Sequence, residues 1–112
     1  EESVRAAFVL TPTAIDMENQ GTFNAICDYV AEKGYNVYNG LASFSEIGLN
    51  TYTDYFDYVH TNLKGARKFT LWLSGRLIED FGLYDKRGNP DYTSWDKAVE
   101  KYNRAVRIIQ FK

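Results

Sequence analysis

Arg5-Ala6-Ala7-Phe8-Val9-Leu10-Thr11-Pro12 is a short, nearly continuous apolar run closed by proline. A run of this length without polar alternation predicts a strand buried on both faces, as in a parallel sheet. Residues 13–21 form a polar segment. Phe23, Ile26, Cys27 and Val30 then recur at three- and four-residue spacing, which predicts a helix with one apolar face. Gly34 is placed to end that helix in a left-handed conformation. Tyr35-Asn36-Val37-Tyr38-Asn39 reads as a second strand, ended by Gly40. Strand, helix and strand with tight connections predict a right-handed βαβ unit, hence an α/β fold with a short parallel sheet. Ligands of such sheets bind beyond the carboxyl ends of the strands. The segments after Leu10 and Asn39 are therefore expected to open on the functional side.

Working outward, residues 43–56 are mixed, with Phe44, Ile47, Leu49, Tyr52, Tyr55 and Phe56, and predict a short helix or turn. Asn62 can cap a helix whose apolar positions are Ala66, Phe69, Leu73 and Leu77, flanked by Trp72 and Phe81 and stopped by Gly82. Gly75 inside it costs about 1 kcal/mol relative to alanine, which predicts close packing at that position. Residues 83–92 form a polar link with Gly88 and Pro90. Thr93 and Asp96 then have the spacing of a capping box. Trp95, Val99, Tyr102, Val106 and Ile109 mark one face of a last amphipathic helix, with Lys97, Lys101, Arg104 and Arg107 between them. That helix either packs on the domain or docks on a partner. Two regions are expected: a domain over residues 1–82, and a linker with the C-terminal helix over 83–112.

At 112 residues the chain suits one small domain. Its 45% hydrophobic and 25% charged residues exclude a disordered chain. The formal net charge of −2 speaks against a dedicated nucleic-acid binder. The charge is uneven: residues 1–63 carry two basic and nine acidic side chains (−7), residues 64–112 eleven basic and six acidic (+5). Solvated helix faces are the plainer reading of the basic half, and an anionic polymer the sharper one. Cys27 is the only cysteine, so no intrachain disulfide and no cysteine-rich metal site can form. Its place on the helical apolar stripe predicts a buried, inert thiol. No apolar run reaches the roughly 18 residues of a membrane span. The chain opens on Glu1 rather than Met, which predicts a processed product or a piece of something longer.

The chemistry concentrates in Asp57-Tyr58-Val59-His60-Thr61-Asn62-Leu63-Lys64-Gly65, which holds the only histidine. A lone histidine before a helix is more often structural than catalytic. The carboxylate three positions earlier changes the weighting, because an Asp can fix the imidazole's tautomer and stabilise its protonated form.

The string Asp57-x-x-His60-x-Asn62-x-x-Gly65-Ala66, running into Lys68-Phe69-Thr70, resembles the last block of the SGNH/GDSL hydrolase family. The two strands and the intervening helix also fit the final part of that flavodoxin-like three-layer fold. The continuation Leu83-Tyr84-Asp85-Lys86-Arg87-Gly88 and Tyr92-Thr93-Ser94-Trp95 looks like the tail of Gram-positive cell-envelope SGNH-like proteins, similar to D-alanine transfer proteins. The resemblance implies that His60 is the general base for a serine and that Asp57 orients it. It implies that Asn62 braces the loop and caps the helix, and that Gly65 permits close approach at the first helical turn. It also implies an acyl-ester or glycopolymer substrate and a membrane-anchored parent at the outer face of the cell.

The family's Gly-Asp-Ser block is missing from the chain, as are the blocks that complete its oxyanion hole. Ser43, Ser45, Ser74 and Ser94 have no strand-to-helix turn around them that would replace it. The expectation is therefore the C-terminal part of an SGNH-like hydrolase or acyltransferase, without a nucleophile in the chain and inactive alone. The alternative is a non-enzymatic binding module using the aromatic surface and the basic last helix. No cofactor is expected, and one His with one Cys offers too few ligands for zinc. A short sheet cut from a larger one would expose an edge, so self-association is expected.

Overall fold

A computed structural model describes residues 4–13 and 17–110. The chain is mixed α/β, with a two-stranded parallel sheet and C-terminal helices. It divides into two units, Glu1–Asp80 and Phe81–Lys112.

In the first unit, β1 (Ala7–Leu10) and β2 (Asn36–Asn39) pair in parallel, with Ala7 opposite Asn36 and Leu10 opposite Asn39. Helix α1 (Met17–Glu32) joins them. It begins earlier than the apolar spacing predicts, because residues 17–21 of the polar segment wind into its first turns. The part of that segment at 14–16 lies outside the described residues. Gly34, at φ +85°, ends α1 with its N–H on Ala31 O at 2.9 Å. Strand β1 is not buried on both faces: Phe8 and Val9 are 46% and 43% exposed. Side chains of a strand alternate between its two faces, and the helix packed on β1 is α1, so its run of apolar residues is only partly covered.

A short α2 (Phe44–Ile47) follows, closed by Gly48 at φ +71°. Helix α3 (Leu63–Phe81) completes the unit. The core is Tyr38, Leu41, Ile47 and Leu49. Tyr38 meets Trp72 of α3 edge-on at 6.5 Å, Phe69 stacks on Trp72 at 5.8 Å, and the Tyr38 hydroxyl donates to Asp80 at 2.7 Å. At the end of β2, Gly40 donates to Leu10 O at 2.8 Å, and a side chain there would collide with that oxygen and the Phe69 ring. Glycine is what lets the strand end, the chain after β1 and α3 meet. Gly75 has open space around it, contrary to the close packing its helical position predicts.

In the second unit, Lys86 donates to the Tyr84 and Tyr92 hydroxyls at 2.9 Å each and lies over both rings. A 3₁₀ turn (Pro90–Tyr92) runs into α4 (Thr93–Gln110). The predicted capping box does not form. Asn89 caps the turn by accepting from Asp91 N at 3.0 Å, with Pro90 at the first position, and Thr93 lies already inside the helical run. Proline's preset φ and lack of an N–H suit the first helical position, so the chain starts winding one turn earlier. Trp95, Val99, Tyr102 and Ile109 of α4 are exposed. Among the described residues no helix is long and apolar enough to cross a membrane.

Candidate functional site

The segment between α2 and α3 folds back on itself. Phe56 N donates to His60 O at 2.8 Å, and Tyr55 and Thr61 form an isolated antiparallel bridge. The Tyr55 hydroxyl donates to Pro12 O at 2.7 Å, just past the carboxyl end of β1. The loop therefore sits at the end of the parallel strands where open α/β sheets place ligands.

Inside the loop, Asp57 makes an Asx turn. Its Oδ1 accepts from Val59 N at 2.8 Å and His60 N at 2.7 Å. The same carboxylate lies against His60 Nδ1, at 3.0 Å for Oδ1 and 2.9 Å for Oδ2. The Val59 N–H above all, then the His60 ring and the His60 N–H, hold the Asp57 carboxyl down to about 2. An ionised carboxylate only accepts, so Nδ1 carries the proton and Nε2 presents its lone pair. The imidazole is 75% exposed and Asp57 45%, so Nε2 is open to a reacting group.

Asn62 supports this loop on both sides. Its Oδ1 accepts from Lys64 N at 2.9 Å and Gly65 N at 3.1 Å, satisfying two free donors at the start of α3. Its Nδ2 donates back to Thr53 O at 2.9 Å and Tyr55 O at 3.4 Å. Gly65 is buried, and a Cβ there would collide with Asp54 O. Only glycine allows α3 to press against the loop at this point.

Two residues without a role in the sequence reading complete the site. Asp54 is fully buried, and its carboxylate accepts from Lys68 Nζ at 2.6 Å, Asn50 N at 2.9 Å and Thr53 Oγ1 at 3.2 Å. Lys64 Nζ lies 3.4 Å away. Burial pushes the Asp54 carboxyl up, but the Lys68 bond, the Asn50 N–H, the Lys68 charge and the Thr53 hydroxyl outweigh it and hold it below its usual range. One available signal was Lys68 three residues after Gly65, which puts both on one helical face. The other was Asp54 three residues before Asp57.

Ser74 donates to Leu71 O at 2.9 Å within α3, Ser43 and Ser45 belong to the α2 turn, and Ser94 lies in the second unit. Among the described residues no three His, Cys, Asp or Glu side chains are grouped so as to hold a metal ion. Cys27 is half-buried, and burial first, then Asp28, push its thiol up, which disfavours the nucleophilic thiolate. The arrangement is thus an exposed imidazole with a carboxylate on its Nδ1, on a braced loop. Comparison with protein-family models, with curated proteins and with solved structures returns no match.

Proposed function

We propose that Asp57 and His60 are the base half of a serine acyl-transfer triad, with the serine supplied from outside these 112 residues. The chain then serves as the C-terminal part of an SGNH-like acyl-ester hydrolase or acyltransferase. By that resemblance its substrate is a cell-envelope glycopolymer or its acyl donor, at the outer face of the membrane. The observation that carries this reading is the Asp57 carboxylate on His60 Nδ1 at the carboxyl end of the parallel strands. That contact leaves Nε2 to take a hydroxyl proton and return it to a leaving group.

The chain alone is expected to hydrolyse p-nitrophenyl acetate no faster than its His60→Ala variant. Robust hydrolysis abolished by His60→Ala would overturn the view that the nucleophile lies elsewhere. In the protein that carries the serine, Asp57→Asn is expected to lower kcat by about 10⁴-fold, the scale of losing the orienting carboxylate of a triad.

A second reading rests on α4, whose exposed Trp95, Val99, Tyr102 and Ile109 run beside Lys97, Lys101, Arg104 and Arg107. Such a face suits binding to an anionic glycopolymer without catalysis. Binding of teichoic acid that weakens with salt and with Lys101→Gln/Arg104→Gln supports it, and no binding at low salt rejects it.

A further inference from the structure

Asp57 and His60 are largely exposed, and the bonds between them are local to the loop. Local bonds shape a loop but do not hold it against the fold. The loop is held to the chain past β1 by the Tyr55 hydroxyl on Pro12 O, and to α3 and the turn after α2 through Asp54. Its carbonyl accepts from Asn62 N at 2.9 Å, closing the loop at its base, and the same oxygen is what Gly65 makes room for. Its carboxylate meets Lys68 Nζ at 2.6 Å, and the same ammonium donates to Gly48 O at 2.6 Å. Lys68 therefore ties three pieces together: the turn after α2, the start of the loop, and α3.

Among the described residues Asp54 is the only buried charged side chain. A buried ion pair is a poor device for stability, since its desolvation offsets most of its Coulomb gain. It is a good device for geometry, because a carboxylate moved away from Lys68 and the nearby Lys64 is left buried and unmatched. We propose that the Asp54–Lys68 pair is the positioning element of the Asp57–His60 base, fixing the loop so that the Asp57 carboxylate stays on Nδ1. This role rests on the proposed function only in calling His60 a base.

His60 is the only histidine, so its ring ¹⁵N signals are unambiguous. In the wild-type chain at alkaline pH, they are expected to report mainly the Nδ1–H tautomer. Asp54→Asn is expected to shift the tautomer ratio by about tenfold away from Nδ1–H, the equilibrium equivalent of one charge-assisted hydrogen bond. Lys68→Arg, which keeps the charge and donors, is expected to retain the wild-type signals. If Asp54→Asn does not fold, Lys68→Gln, at a partly exposed position, is read by the same criterion. A pair serving stability alone would lower the unfolding midpoint and leave the ring signals of the folded state unchanged, which would overturn the proposal. Ring signals that follow the pair, in a protein never found to transfer an acyl group, would uphold the positioning role and reject the proposed function.

Discussion

At Asp57 one carboxylate does two jobs, turning the backbone and orienting a ring. The sign of its pH dependence follows from its pKa. Folding depresses the carboxyl to about 2, below the ordinary carboxylate value near 3.9. The contribution of its bonds is complete above the ordinary value and is lost as pH falls through about 2. The Val59 and His60 amide signals are accordingly expected to keep their folded positions at pH 4 and to move only below pH 3 in an NMR titration. Asp57→Asn makes a second test. An amide can turn its NH₂ toward Nδ1, so the variant is expected to favour the Nε2–H tautomer, seen directly in the ring ¹⁵N shifts. This pair was legible in the sequence because an Asx turn is local, its donors lying two and three residues away. The spacing of Asp54 and Lys68 could mark each residue but not their pairing, since fourteen residues separate them and their contact depends on where α3 lies. No local pattern carries that information.

At the scale of the element, α3 holds two glycines with opposite meanings. Gly65 faces Asp54 O at a distance no Cβ tolerates, whereas Gly75 faces open space. Gly65→Ala must displace either the loop or the helix, and is expected to destabilise by about 1–3 kcal/mol, as overpacking does. Gly75→Ala is expected to stabilise by about 0.5–1 kcal/mol, since it removes backbone freedom from the unfolded chain and meets nothing in the folded one. Urea unfolding of the two variants checks both signs. The helix itself was plain in the sequence from its apolar spacing and its Asn62 cap, but the partners of its glycines were not. A glycine in a helix marks either a close approach or a tolerated defect, and only the neighbouring chain decides which. The start of α4 shows the same limit: Thr93 had the spacing of a cap, but Asn89-Pro90 captured the start of winding first.

At the scale of the molecule, the first unit has a site more complete than its core. The loop around His60 is braced from α3, the chain past β1 and the turn after α2, while among the described residues the buried hydrophobic side chains are Tyr38, Leu41, Ile47 and Leu49. Between α1 and the sheet a cleft of about 210 Å³ remains, lined by Phe8, Leu10, Phe23, Ile26, Val30 and Val37. The parallel pairing was readable because apolar runs and glycine punctuation are local. The half-open state of β1 was not, because burial of a strand's side chains depends on what packs on each face of the sheet. With β2 on one side, the outer side of β1 presents backbone donors and acceptors beside exposed Phe8 and Val9. A second copy can satisfy both the backbone groups and the apolar side chains there at once. The chain is expected to self-associate, its mass by light scattering rising above 12.9 kDa at high concentration. Val9→Lys places a charge on that strand and is expected to raise the concentration needed for association by roughly tenfold or more, while the folded spectrum persists. A wild-type mass that stays monomeric at high concentration would show instead that the short edge is protected by its own length.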